Sequence, residues 1–132
     1  MSKKIIVVDD SQTVRQQVAL ALGQGGYTVM EAVDGLDGFN TIQNNPDIAL
    51  VICDVNMPRV NGLEMLEMLR KQPWGQEPSV IMLTARSQTQ DIARANACGI
   101  DDYIIKPFDL SELLEKIESI LEQRKVLTKA SN

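Results

Sequence analysis

Val51-Ile52-Cys53-Asp54-Val55-Asn56-Met57-Pro58 is the stretch whose reading decides the fold, because an apolar run ends there in one carboxylate with a turn behind it. The residues from Ala49 to Cys53 are apolar at every position, so both faces of the strand they form need cover, as in an inner strand of a parallel sheet. Pro58 stops any immediate continuation. Sites in open α/β sheets collect just outside the carboxyl ends of the strands, which makes Asp54 the first candidate for chemistry.

Upstream, Lys4 to Val8 reads as a buried strand, apolar from Ile5 to Val8, and it leads straight into Asp9-Asp10-Ser11. A helix follows, with Ser11 or Asp10 near its cap and Val14, Val18, Ala21 and Leu22 at helical spacing, until Gly23, Gly25 and Gly26 end it. Tyr27 to Ala32 is the next strand, and Asp34-Gly35 opens a helix whose apolar face is Leu36, Phe39 and Ile42, closed by Asn44, Asn45 and Pro46.

Downstream, the loop through Asn61-Gly62 leads to a helix carrying Leu63, Leu66 and Leu69. Pro73, Gly75 and Pro78 mark a longer loop before a strand from Ser79 to Leu83 that ends at Thr84. The helix expected from about Gln88 to Cys98 is weakly apolar, which suits an element that moves, and Gly99 caps it. Tyr103 to Ile105 is the last strand and runs into Lys106-Pro107-Phe108. Asp109 then caps a helix with Leu110, Leu113, Leu114, Ile117, Ile120 and Leu121 in register.

Strands and helices thus alternate five times without an internal repeat, which predicts a doubly wound α/β fold with a parallel sheet and right-handed crossovers. Four strands end in groups that can do chemistry, namely Asp9 and Asp10, Asp54, Thr84 and Lys106, whereas the second ends in Ala32, Val33 and Asp34. If those four ends share one pocket, the second strand belongs at an edge and the order is 2-1-3-4-5, with a crevice where the chain reverses between strands one and three.

The composition narrows the function classes. At 132 residues, 44% of them apolar, the chain holds one single-core domain, and a net charge of −5 with scattered Lys and Arg argues against a nucleic-acid or membrane-surface footprint. No apolar stretch approaches the roughly 20 residues of a membrane span. The short apolar run behind Ser2-Lys3-Lys4 stops too soon for a signal peptide, so a cytoplasmic protein is expected. With no histidine and only two cysteines, Cys53 and Cys98, zinc sites and all histidine-based catalysis are excluded, and the thiols are expected buried and reduced.

Three carboxylates brought to one crevice repel one another unless a cation joins them. Oxygen donors alone point to Mg²⁺, with Mn²⁺ as a substitute. A metal with a nearby lysine and hydroxyl is a phosphoryl-binding arrangement, and a carboxylate can itself be the nucleophile that takes the group. Asp54, alone at the tip of a central strand, is the best placed acceptor. Asp9 and Asp10 can then serve the metal, although capping of the first helix is the plain alternative for that pair.

The ordered set Val8-Asp9-Asp10-Ser11, Asp54-Val55-Asn56-Met57-Pro58 with Gly62 beyond, Thr84-Ala85, and Tyr103-Ile104-Ile105-Lys106-Pro107-Phe108 resembles the receiver domains of two-component response regulators, in the CheY-like single-domain pattern. The resemblance spans about residues 3–123 and implies a flavodoxin-like (βα)5 sheet in the same 2-1-3-4-5 order, with 124–132 as a short polar tail. It implies that Asp54 is phosphorylated and that Asp10, Asp54 and the backbone carbonyl of Asn56 bind Mg²⁺, with Asp9 acting through a metal-bound water. Thr84 and Lys106 would hold the phosphoryl group, and the peptide bond before Pro107 would be cis.

The resemblance further implies a switch in which the Thr84 hydroxyl is drawn inward and Tyr103 rotates into the vacated space, remodelling the face made by helix four, strand five and helix five. The plain alternative for Tyr103 is a strand aromatic with its hydroxyl at the surface. Asn56 and Arg86 stand where phosphate lifetime would be set, and Arg86 reads equally well as an ordinary surface cation. The phosphoryl group would come from a histidine on a sensor kinase or phosphotransfer protein, so the chain modifies itself and is no enzyme in the usual sense.

Two other classes are weighed against this. A Mg²⁺-dependent phosphohydrolase would need an acid two residues after its nucleophile, where Asn56 stands, and a flavodoxin-like cofactor binder would need a glycine-rich loop after the first strand. Residues 124–132 are too few for a DNA-binding module, so the signal is expected to leave through an unknown protein target, or else the chain is a receiver cut from a longer protein.

Overall fold

The computed structural model describes residues 3–75, 78–85 and 90–131 and, for 124–131, the backbone alone. Five strands, β1 (Lys4–Val8), β2 (Thr28–Ala32), β3 (Ile48–Asp54), β4 (Ser79–Ala85) and β5 (Asp102–Lys106), alternate with α1 (Gln12–Gln24), α2 (Gly35–Asn44), α3 (Gly62–Arg70), α4 (Ile92–Cys98) and α5 (Leu110–Ser131). The strands form one parallel sheet in the order β2-β1-β3-β4-β5, so the edge position argued for the second strand from its featureless end is the observed one.

Because successive strand residues face opposite sides, the continuous apolar runs feed two cores. Ile6, Val8, Val51, Cys53, Val80 and Met82 pack beneath α2, α3 and α4, while Ile5, Val7, Leu50, Ile52, Ile81 and Leu83 pack beneath α1 and α5. Each large aliphatic side chain fully withdrawn from water stabilises the fold by about 1.5–3 kcal/mol, which is why the sheet centre is so uniformly apolar.

Register sets the strand ends side by side. Val8 pairs with Cys53 and Asp54 with Leu83, so Asp9 emerges level with Asp54; Ala85 pairs with Lys106 on the far side.

The loop after Asp54 is tightly built. Val55 N–H carries the ladder one step further to the Leu83 carbonyl at 3.0 Å, and Gly62 N–H turns back to the Val55 carbonyl at 2.9 Å. A β-carbon at Gly62 would overlap the carbonyl oxygen of Asp54, so only glycine admits this approach. Asn61 and Glu64 then form a reciprocal cap that starts α3. Arg59, within the loop, takes a positive φ of 64°.

Some local expectations are corrected. Leu36 is 41% exposed; the buried face of α2 is Gly35, Gly38 and Ile42, with Gly38 set against Val8 and Met65. Gly35 lies against Val60 of the loop before α3 and Gly38 against Val8 of the sheet, so the close-packed side of α2 is its glycine side and Leu36 lies outside it. Of the helix expected from about Gln88 to Cys98, α4 from Ile92 to Cys98 is described, and the expected start at Gln88 lies outside the described residues. The last helix, α5, runs on to Ser131 through the stretch expected as a polar tail, since no glycine or proline interrupts it. Among the described residues, no helix is long and apolar enough to cross a membrane.

Candidate functional site: an acidic crevice at the strand ends

Four of the side chains singled out by their strand ends meet. Ligand oxygens of Asp9, Asp10 and Asp54 all lie within 4.8 Å of one another, and Lys106 Nζ stands 3.4 Å from Asp9 Oδ2 and 3.3 Å from Asp54 Oδ1. Asp9 has no exposed surface and Asp54 only 6%, whereas Asp10 is exposed at the mouth. The crevice therefore gathers three carboxylates around one ammonium, two of them out of water.

Asp9 is held from both sides. Lys106 reaches Oδ2, and Oδ1 accepts the Ser11 N–H at 2.9 Å. Ser11 in turn caps α1 by accepting the Val14 N–H, so the helix start and the acid are parts of one turn. The capping role thus falls to Ser11, not to the aspartate pair.

Asp54 sits where burial pushes its carboxyl above the ordinary aspartate range. The Lys106 ammonium pulls it back, the neighbouring Asp9 charge pushes it up, and a hydrogen bond from the Asn56 N–H pulls it down. Asn56 therefore enters the site through its backbone. On the opposite face, Cys53 is fully buried and its thiol is pushed far up, first by burial and then by the Asp54 and Asp9 charges, so it is an unreactive core side chain.

Thr84 is buried one residue beyond the level of Asp54 on β4, and its hydroxyl donates to the carbonyl of Ala85 at 3.2 Å. It lies at the neighbouring strand end, with its hydroxyl engaged by its own backbone. The Lys106–Pro107 peptide bond is cis. Tyr103 is 38% exposed on β5. Arg86 lies outside the described residues.

The donor set suits a hard divalent cation. Three carboxylates against one ammonium leave an excess of negative charge, and oxygen donors alone favour Mg²⁺. The buried pair Asp9 and Asp54 would otherwise stand as like charges in a poorly solvated crevice, and a second cation is what that arrangement calls for.

Three arginines that no sequence pattern singles out tie the site's surroundings together. Arg15 reaches from the first turn of α1 to the Asp9 carbonyl at 2.9 Å and to Glu31 on β2 at 3.0 Å. Arg59 approaches the α2 cap Asp34, with Nη1 3.7 Å from Oδ2. Arg70, at the end of α3, donates to the carbonyls of Gly75 and Pro78 ahead of β4 and to those of Cys98 and Gly99 at the end of α4.

Comparison with known proteins gives the chain's family and agrees with its fold. A family model described as the response regulator receiver domain matches residues 5–118. The chain is 39% identical over 126 residues to the response regulator MprA of Mycobacterium ulcerans, covering 96% of this chain and 53% of that protein. It is 34% identical over 119 residues to a chemotaxis protein CheY homolog of Campylobacter jejuni, covering 89% of this chain and 92% of that one. Among solved structures, a CheY-like receiver domain protein from Methanospirillum hungatei superposes with a TM-score of 0.88 at 29% identity, covering 95% of this chain and 98% of that chain. The chain spans about half the length of the MprA relatives and nearly all of the CheY homologs.

Proposed function

The chain belongs to the response regulator receiver domain family, whose general function is that of a phosphorylation-dependent signalling switch, and from that premise we propose which residues of this chain do the switching. Receiver domains are signalling domains that bind Mg²⁺ at an acidic pocket and work with histidine kinases or phosphotransfer proteins.

Asp54 is the phosphoacceptor. A bond forms between its carboxylate oxygen and phosphorus, the bond from phosphorus to the donor breaks, and the donor leaves with that electron pair. One observation carries this assignment: Lys106 Nζ lies 3.3 Å from Asp54 Oδ1, inside a crevice whose other walls are Asp9 and Asp10. Asp10, Asp54 and the Asn56 carbonyl would hold Mg²⁺ there, with Asp9 supporting it through a water. When bound, the ion supplies charge neutralisation to the incoming phosphoryl oxygens. Lys106 and the Thr84 hydroxyl take two of those oxygens.

The position of Thr84 supports a switch. Its hydroxyl gives up the Ala85 carbonyl for a phosphoryl oxygen, and Tyr103 moves inward from its outward position. α4, short and with Ala95 as its one buried residue, shifts at its amino end while Arg70 holds its carboxyl end. The remodelled face of α4, β5 and α5 recruits or releases a protein target. The donor is a histidine kinase or phosphotransfer protein in the cytoplasm, and a small phosphodonor can replace it because the acceptor brings its own metal site and lysine.

Incubation with Mg²⁺ and acetyl phosphate tests this function against that of a phosphohydrolase. One phosphoryl group retained per chain, with negligible release of p-nitrophenol from p-nitrophenyl phosphate, is expected. Sustained turnover of the nitrophenyl ester would overturn it.

A further inference from the structure

Asp10 is the exposed member of the acidic trio, and among the described residues its carboxylate has no hydrogen bond or ion pair. No side-chain partner places it, so the position from which it reaches into the crevice is set by the backbone that carries it. That backbone begins at the Asp9–Asp10 peptide, a rigid plane in which the Asp9 carbonyl and the Asp10 N–H move together.

The plane lies just past the end of the sheet. Asp9 N–H still reaches the Ala32 carbonyl of β2 at 3.1 Å, but β2 stops at Ala32, so the ladder offers no next amide for the Asp9 carbonyl. Arg15 Nη1 donates there instead, at 2.9 Å. The same guanidinium is anchored on its other side by Glu31, through Nε at 3.0 Å, and the Arg15 side chain is only 13% exposed. Arg15 itself is fixed on the first turn of α1, its N–H donating to the Ser11 carbonyl at 2.9 Å. A planar fork thus ties the helix start, the last strand carbonyl and the edge strand into one piece.

We propose that Arg15 is a positioning residue for cation binding: by holding the Asp9 carbonyl against Glu31, it sets the peptide plane that aims the Asp10 carboxylate at Asp9 and Asp54. This rests on the assignment of the trio as the Mg²⁺ site. Two opposing effects can be separated by sign. As a bare cation near three carboxylates, Arg15 would weaken Mg²⁺ binding, and its removal would tighten it. As a holder of the loop it strengthens binding, and its pairing with Glu31 already offsets the charge.

The test is Mg²⁺ affinity by titration calorimetry on the full chain, for the unaltered protein, Arg15→Met and Arg15→Lys, with urea stability in EDTA as the control for folding. Affinity about tenfold weaker in both variants is expected, the size typical of losing an outer-shell partner. Lysine keeps the charge but cannot hold two acceptors in one plane. Unchanged or tighter binding in Arg15→Met, or full recovery in Arg15→Lys, would overturn the proposal even if EDTA stability fell, since that pattern is a purely structural role. Should an Arg15 variant not fold, Glu31→Gln on the edge strand replaces it, with weaker binding expected and unchanged binding overturning. Absence of Mg²⁺ binding in the unaltered chain would remove the metal-site assignment together with this inference, an outcome distinct from a failure of the inference alone.

Discussion

Lys106 Nζ stands 3.3 Å from Asp54 Oδ1, and strand register is what brings the two together. Asp54 ends β3, Lys106 ends β5, and β4 between them pairs with both, through Asp54 with Leu83 and Ala85 with Lys106. The same ammonium lies 3.4 Å from Asp9 Oδ2, so one cation serves two buried carboxylates.

Replacing that cation separates its two roles. In Lys106→Met, Mg²⁺ affinity measured by calorimetry is expected to rise, because a competing positive charge has gone. Phosphoryl acceptance from acetyl phosphate is expected to slow by about a hundredfold, the usual loss when one charge-stabilising donor is removed. Weaker Mg²⁺ binding would contradict the electrostatic account of the crevice.

Asp54 gives a pH-dependent prediction whose sign is fixed by its raised pKa. A carboxyl with a folded pKa above its unfolded one contributes stability that is whole below the ordinary value of 3.8 and is lost as pH rises through the folded value. At neutral pH the metal-free fold therefore carries a poorly solvated charge. Asp54→Asn is expected to melt a few degrees higher in EDTA, with the difference shrinking as the pH falls toward the ordinary aspartate range. Added Mg²⁺ should raise the melting temperature of the unaltered chain more than that of the variant. An Asp54→Asn protein less stable than the parent at neutral pH would contradict this.

Arg70 predicts a local effect at the end of α4. Arg70→Met leaves the carbonyls of Gly75, Pro78, Cys98 and Gly99 without their shared donor, at an expected cost of about 2–4 kcal/mol in urea unfolding. Hydrogen exchange should accelerate most around residues 98–101. Uniform acceleration across the sheet instead would show that Arg70 does not act as a clamp on that end.

The strand ends were legible in the sequence because four of the five strands stop at a residue that can do chemistry while the second does not, and that punctuation pointed to the sheet order and to the trio with Lys106. Long-range anchors were not legible. Arg15, Arg59 and Arg70 are single long side chains that reach other elements, and a lone arginine leaves no periodic trace. Leu36 was misassigned because hydrophobicity alone cannot show that Gly35 and Gly38 make the closer packing face.

The central claim is that Asp54 takes the phosphoryl group, and intact-protein mass after incubation with Mg²⁺ and acetyl phosphate tests it most directly. The unaltered chain is expected to gain the mass of one phosphoryl group, and Asp54→Asn and an EDTA-treated sample are expected to gain none. The same gain in Asp54→Asn would contradict the account.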